Sequence, residues 1–162
     1  MSHSQQRIIT TLLNIAKTSE QAQKHASALC SGSKILQTNV NSNRSKYGNN
    51  IRCSGHSEIE CIYSMYPLLF RGSSPKITNK QRRKLNKLTL YVVRYKSSTT
   101  DFGCSAPCYH CTYKIKEFGI KKIIYINHDG NIIKCRTSNY ETTFISSGYK
   151  GYIRNNIRLQ CL

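Results

Sequence analysis

The sequence has no tryptophan, few acidic residues and no apolar run that approaches the length of a membrane span. A transmembrane helix needs about 20 consecutive apolar residues, and the longest apolar stretches here are far shorter. Residues 1–6 also lack the charged start and apolar core of a secretory signal. These absences predict a soluble protein of the cytoplasm or nucleus that is not secreted and has no membrane partner.

The shortage of acidic residues leaves a large excess of positive charge. Asp and Glu total 7 against 25 Lys and Arg, which gives the 162 residues a formal net charge of +18. A field of this sign attracts polyanions, so DNA, RNA, a nucleotide or another acidic molecule is the expected kind of partner. The alternative is a solvated, lysine-rich surface without a specific partner. The basic residues concentrate in the segments 42–55 and 71–87, expected to be loops, and in the tail 146–162.

Length and cysteine content limit the architecture further. A chain of 162 residues is long enough for one domain with a real core, and we expect residues 1–162 to form a single domain. The chain has eight cysteines. In the absence of a secretory signal, these predict thiolate chemistry, above all metal binding, rather than a disulfide framework.

Hydrophobic periodicity predicts a mixed α/β chain in which helices and strands alternate. An Asp-Gly pair between the last two predicted strands is typical of a tight hairpin, so those strands should be antiparallel. The first predicted helix begins near Ile8 and runs to about His25. The second begins near Ser57, and the third begins at Pro107 and ends at Gly119. The predicted strands are Ala26–Cys30, Lys34–Val40, Leu88–Tyr95, Lys121–Ile126 and Asn131–Cys135.

Two short motifs carry the chemistry. His56-Ser57-Glu58 stands at the start of one predicted helix, and Pro107-Cys108-Tyr109-His110-Cys111 stands at the start of another. Zinc takes imidazole and thiolate ligands, and a catalytic zinc ion keeps its fourth position for water. The sequence therefore predicts a zinc site formed by His56, Cys108 and Cys111, with Glu58 beside the open position as a proton carrier.

Two other interpretations of the motifs stay open. A structural zinc site would be closed by a fourth protein ligand such as Cys104, His110 or Cys53. Alternatively, the two cysteines of the C-x-x-C pair could be a redox couple, although the usual strand before such a pair is not evident.

The combination of H-x-E with a distant P-C-x-x-C resembles the cytidine deaminase-like superfamily, the zinc-dependent cytidine and deoxycytidylate deaminases. The resemblance covers most of residues 6–145. It implies a three-layer α/β/α fold around a mixed, roughly five-stranded sheet. It also implies hydrolytic conversion of cytosine to uracil in a nucleoside, nucleotide or nucleic acid. Hydroxide formed on the zinc ion would attack C4, and Glu58 would shuttle the proton; adenine deamination uses the same machinery.

The resemblance also suggests residues that contact the substrate. Family members hold the substrate sugar with an Asn at the end of the second strand, where Asn41 falls; the alternative is a turn Asn. The middle residue of H-x-E contacts the base through its backbone, a role that would fall to Ser57. Among aromatic residues, Tyr109, Tyr47 and Tyr66 are candidates for stacking on the base, and the alternative for each is ordinary packing.

The remaining clues favour different relatives. A final hairpin resembles the branch of free cytidine deaminases, whereas the high positive charge is not needed by a nucleoside enzyme. Composition and layout resemble deaminase-like proteins of large DNA viruses, and the superfamily implies a homo-oligomer such as a dimer or tetramer. The competing hypothesis is a DNA- or RNA-binding protein with little or no activity, built on a deaminase fold, whose basic segments contact phosphates.

Overall fold

The computed structural model describes residues 2–48, 50–52, 54–70, 77–97 and 102–154. Cys53, residues 71–76 of one basic segment and residues 155–162 of the basic tail lie outside the described residues. The helices are α1 (His3–Ala16), α2 (Ser57–Met65), α3 (Asn79–Leu85), α4 (Tyr109–Phe118) and α5 (Ser147–Arg154), with 3₁₀ turns at Pro67–Phe70 and Thr137–Asn139. The strands are β1 (Lys24–Ser31), β2 (Lys34–Val40), β3 (Lys46–Tyr47), β4 (Asn50–Ile51), β5 (Thr89–Tyr95), β6 (Phe102–Gly103), β7 (Lys122–Ile126) and β8 (Ile132–Arg136).

The main sheet is mixed. Its strands follow the order β2-β1-β5-β7-β8, and the short β6 pairs with β5, which makes six strands where roughly five were predicted. The strands β5 and β7 are parallel, with α4 as the crossover between them, and the other strand pairs that the structure describes in this sheet are antiparallel. The hairpins β1–β2 and β7–β8 are antiparallel, as the turn residues predict. The strands β3 and β4 form a separate small sheet.

The sheet separates two apolar clusters, and this confirms the predicted three-layer α/β/α fold. On one face, α1 packs Ile8 and Leu12 against Ala28 of β1. On the other face, α2 and α4 bury Ile59 and Ile115 against the sheet. Within the described ranges, none of the helices combines the length and apolar character that a membrane span requires. The extent of the domain, residues 1–162, stays a prediction.

The first helix is shorter than its sequence pattern predicts, and the prediction that it reaches His25 is wrong. The helix closes at Ala16, where the Thr18 hydroxyl donates to the carbonyl of Ile15 over 2.8 Å. His25 lies in β1 instead, paired with Arg94 of β5. Because β1 gains hydrogen-bonded partners on both edges, sheet pairing overrides the local helical pattern.

The basic segments contain regular structure that the sequence pattern does not reveal. The prediction of a loop over 71–87 is wrong for Asn79–Leu85, which forms α3. Thr78 caps this helix: its hydroxyl accepts from the Gln81 N–H over 3.2 Å, and the Gln81 side chain accepts from the Thr78 N–H over 2.9 Å. The segment 42–55 contains the β3–β4 hairpin and a bridge between Ser42 and Gly55. The tail begins with the short helix α5.

Ser105 joins β5 to β7 just before the second motif. Its buried hydroxyl donates to the carbonyl of Val92 over 2.7 Å and accepts from the Ile126 N–H over 2.9 Å. The Ser105 N–H donates to the Ile126 carbonyl over 2.8 Å. The backbone pairing of β5 with β7 ends at Tyr91 and Ile124. Beyond that point, where the strands separate, the hydrogen bonds of Ser105 connect them instead. It therefore fixes the chain three residues before Cys108.

We expect Ser105→Ala to lower the free energy of unfolding by about 1–3 kcal/mol, because it leaves two buried backbone groups without a partner. Chemical denaturation followed by circular dichroism measures this change. The matched control is Ser138→Ala, which removes a hydroxyl from an exposed position and should stay within about 0.5 kcal/mol of the wild type. Equal stabilities of the two variants would show that Ser105 does not hold the strands together.

Candidate metal centre

Three side chains from the two motifs converge at the N-termini of α2 and α4. His56 is the N-cap residue of α2 and Cys108 is the N-cap residue of α4, yet neither side chain caps its own helix. The His56 Nδ1 atom lies 3.5 Å from the Cys108 Sγ atom and 3.3 Å from the Cys111 Sγ atom. All three potential ligand atoms lie within 4.8 Å of one another. The structure thus brings together residues 52 and 55 positions apart in the sequence.

The chemistry of these donors fits a zinc ion. Metal–ligand bonds of about 2.1 Å to nitrogen and 2.3 Å to sulfur place tetrahedral ligands roughly 3.6 Å apart, close to the spacing found here. Within the described part of the chain, no fourth His, Cys, Asp or Glu joins the cluster, and Cys104 and His110 are not members of it. Cys53, the other suggested fourth ligand, is outside the described residues. The three side chains could hold a metal ion, and the described residues leave a fourth position free.

Local electrostatics favour thiolate at this site. A hydrogen bond from Cys111 is the largest influence on Cys108 and lowers the pKa of the Cys108 thiol, because it stabilises the negative sulfur. Two helices also direct their N-terminal N–H groups and positive dipole ends to the cluster. Both effects favour thiolate at Cys108, whereas the hydrogen bond to Cys108 raises the pKa of the Cys111 thiol.

Glu58 is a buried carboxyl in the first turn of α2. Its side chain is 5% exposed, and the Ser57 hydroxyl donates to its Oε2 atom over 3.3 Å. Burial raises the pKa of Glu58 above its ordinary value, and the charges of His56 and Cys108 also act on it. A carboxyl of raised pKa near the metal ligands is suited to accept and return a proton near neutral pH.

The structure gives the three suggested substrate contacts different surroundings. The Asn41 Oδ1 atom accepts from the His25 N–H over 2.8 Å, and its Nδ2 donates to the Gln23 carbonyl over 2.7 Å, so this side chain ties β2 to the start of β1. Ser57 is fully buried, with its hydroxyl 2.7 Å from that of Ser27. Tyr109 is 53% exposed at the start of α4. Their roles toward a substrate stay predictions.

The other two candidate stacking residues have structural surroundings of their own. Tyr47 is fully buried, with its hydroxyl donating to Glu60 over 2.8 Å, so it packs in the core. Tyr66 ends α2, where its N–H donates to the Ile62 carbonyl.

Glu60 anchors the segment 42–55 to α2, a role that sequence reasoning missed. Its buried carboxylate accepts from the hydroxyls of Tyr47 and Ser42 and pairs with Arg44 at 3.7 Å. A Cβ atom at Gly55 would collide with this carboxylate and with the Tyr47 hydroxyl. Residues two positions apart in a helix point to different sides of it, so the sequence could have indicated that Glu58 and Glu60 have different surroundings.

A second missed contact joins α5 to α4. The His110 ring stacks on Tyr149 of α5 with a centroid distance of 3.5 Å and an interplanar angle of 9°. His110 lies between the two cysteines in sequence, so α5 packs against the motif itself. No sequence pattern connects these two residues.

His25 is a further residue near the site that sequence reasoning placed in a helix. Burial lowers the pKa of His25 from 6.5 to about 4, and the charges of Arg94 and His56 act in the same direction. The imidazole is therefore neutral at neutral pH. Between pH 6.5 and about 4 the unfolded chain binds this proton more readily than the folded chain, so stability falls as the pH falls through this range.

We expect His25→Gln to flatten the pH dependence of the unfolding free energy between about pH 6.5 and pH 4, because the variant lacks the group that the folded state keeps neutral. Denaturant titrations at half-unit pH intervals give the unfolding free energy of the variant and of the wild type at each pH. The contributions of groups that the two proteins share cancel in the difference between them. His128→Gln, a change on an exposed turn, is the matched control. Parallel curves for His25→Gln and the wild type would contradict the prediction.

Comparison with known proteins identifies the fold. No protein-family model and no curated protein sequence matches this chain. A solved structure of cytidine deaminase from Burkholderia pseudomallei is similar to it, with a TM-score of 0.55 and 16% sequence identity over 86% of this chain and 95% of that one. An apo structure of dCMP deaminase from the cyanophage S-TIM5 matches with a TM-score of 0.50 and 17% identity over 79% of this chain and 86% of that one. The chain therefore has the cytidine deaminase-like fold.

Proposed function

We propose that this protein is a zinc-dependent hydrolytic deaminase that converts cytosine to uracil in a nucleoside, nucleotide or nucleic acid. The observation that carries the proposal is the convergence of His56, Cys108 and Cys111 beside the buried carboxyl of Glu58. A purely structural zinc site would not need a carboxyl there. Two solved deaminases of the same fold support the proposal at the level of architecture.

His56, Cys108 and Cys111 would hold the zinc ion, which when bound lowers the pKa of a water molecule to about 7 and so supplies a nucleophile at neutral pH. The three donors come from two helix N-termini, and these helices are packed on one face of the sheet. The ligand geometry is thus fixed by the core and not by a free loop. Such support is what a catalytic site requires.

Glu58 moves the protons of the reaction. Hydrolysis forms a bond from the water oxygen to C4 of cytosine and breaks the bond from C4 to the exocyclic nitrogen. One water proton passes to ring nitrogen N3 and the other to the departing amine, which leaves as ammonia, so that cytosine and water give uracil and ammonia. Because Glu58 is the buried carboxyl beside the ligands, it is the group that can carry both protons in turn.

Mass spectrometry of reaction mixtures tests the proposal directly. Zinc-loaded protein is incubated separately with cytidine, deoxycytidine, their monophosphates, adenosine, and single-stranded DNA and RNA. Deamination replaces the amino group at C4 of cytosine by oxygen and gives uracil. The product is therefore about one mass unit heavier than the substrate. Conversion of a cytosine compound is the expected result. A folded, zinc-replete protein that converts none of these compounds would refute the function.

The second candidate function is DNA or RNA binding by the basic surface of α3. Lys80, Arg82, Arg83 and Lys84 are exposed on this helix, and no salt bridge among the described residues includes them. A binding protein of this kind would hold single-stranded nucleic acid with an affinity that falls steeply as salt increases, without turnover. Retention of Glu58 favours the enzyme over this alternative.

A further inference from the structure

Arg52 is a buried cation close to the candidate metal centre. Its side chain is 8% exposed, and its backbone N–H donates to the Ser45 carbonyl over 2.7 Å, which holds it in the segment 42–55. It lies four residues before the ligand His56. The buried Nε atom of Arg52 has no hydrogen-bond partner among the described residues.

The acidic groups nearby do not neutralise Arg52. Glu60 pairs with Arg44 instead, and no salt bridge of Arg52 occurs in the part of the chain that the structure describes. A buried guanidinium without an anion is strongly unfavourable in a folded protein. Because the buried Arg52 Nε atom has no partner among the described residues, an anionic ligand is a group that can complete it.

The segment that carries Arg52 is held next to the candidate metal centre. Ser42 bridges Gly55, which directly precedes His56. Within this closed segment the Arg52 N–H bonds the Ser45 carbonyl. Arg52 therefore belongs to the folded segment that leads into α2.

Arg94 is a second cation, on the face of the sheet that packs against α2 and α4. Alternate residues of a strand share one face of the sheet, so Arg94 lies on the same face as Leu90 and Val92 of β5. Both of these residues belong to the apolar cluster beneath α2 and α4. The Arg94 Nε atom is buried and also lacks a partner among the described residues. Its side chain crosses Gly103, where a Cβ atom would lie only 2.9 Å from the Arg94 Cδ atom.

We propose that Arg52, together with the positive charge of Arg94, binds a phosphate group of the substrate, so that the protein deaminates phosphorylated cytosine compounds in preference to the free nucleoside. This inference rests on the proposed function. The phosphate can be the monoester of a free nucleotide or the diester of a nucleic acid, since a guanidinium binds the same oxygens in both.

The test compares kcat/KM for deoxycytidine, deoxycytidine monophosphate and a short single-stranded DNA oligonucleotide that contains one cytosine. We expect one of the phosphorylated substrates to exceed deoxycytidine by about 10- to 100-fold, and Arg52→Gln to remove most of that preference through KM. The preference is a ratio of kcat/KM values measured on one enzyme, so an effect of the substitution that is common to both substrates cancels from it. The better of the two phosphorylated substrates identifies the source of the phosphate. Arg94→Gln should reduce the preference less.

Controls separate the possible failures. Lys46→Gln removes one exposed charge from the same segment and should keep the preference, and Arg52→Lys should restore part of it. Equal use of deoxycytidine and the phosphorylated substrates, or a preference unchanged in Arg52→Gln, would overturn the proposal. If the wild type converts nothing, the proposed function fails, and calorimetric binding of inorganic phosphate decides the inference. Phosphate binding that Arg52→Gln abolishes supports the site, and absence of binding by the wild type rejects it.

Discussion

Replacing Glu58 by glutamine is expected to lower kcat for cytosine deamination by about 10²–10⁴-fold, with the fold and the zinc content unchanged. Glutamine keeps the size of the side chain and can still accept the hydrogen bond from Ser57, which is 3.3 Å long in the wild type. It cannot carry a proton, however, and general acid–base catalysis contributes a factor of this size. The measurement is the single-turnover rate on whichever substrate the wild type converts, with zinc content by atomic absorption.

The matched control for Glu58 is Glu20→Gln. Glu20 is exposed between α1 and β1, so the same chemical change is made at a solvated carboxylate. The control should keep wild-type activity to within about twofold. If Glu58→Gln retained a tenth or more of the wild-type rate, another group would have to move the protons, and the mechanism proposed here would be wrong.

Removing the metal is expected to produce the largest loss of stability. Zinc that binds only the folded state stabilises it by about 4 kcal/mol when its free concentration is a thousand times the dissociation constant. For a chain of this length, each kcal/mol lost from the free energy of unfolding lowers the melting temperature by about 2–4 °C. We therefore expect a chelator to lower the melting temperature by roughly 8–16 °C in a scanning calorimeter, and added zinc to restore it.

Cys111→Ser should abolish the zinc-dependent shift, because it removes one of the three donors that lie within 4.8 Å of one another. The matched control is Cys135→Ser on β8, where the thiol is half-buried and outside the cluster. That variant should show the wild-type shift. A melting temperature of the wild type that did not respond to zinc or chelator would contradict metal binding at this site.

The candidate site was more predictable than several of the elements around it. His56, Cys108 and Cys111 could be identified because zinc restricts its ligands to a few residue types, and two of them are close in sequence. The hairpin at Asp129-Gly130 was equally accessible, since a tight turn between strands has its own residue preferences. In both cases the chemistry is local.

The parts that escaped prediction depend on distant contacts. His25 has a helical pattern before it, but pairing with β5 makes it part of a strand. The burial of Arg52 cannot be read from a polar segment, because it follows from the anchoring of that segment to Glu60 by Tyr47 and Ser42. Periodicity describes one element at a time and carries no information on such tertiary partners.

The separation of the metal ligands along the chain gives them different positions in the order of folding. Cys108 and Cys111 are three residues apart and can meet in an unfolded chain, whereas His56 is 52 residues from Cys108. We expect the imidazole to join them only after β5 is in the sheet and α2 has packed against it, because loop closure over such a distance costs entropy that the sheet contacts must offset. With a metal ion present, coordination by His56 would then mark completed assembly of the core, and a metal ion held by the two thiolates alone would mark a chain that is still folding.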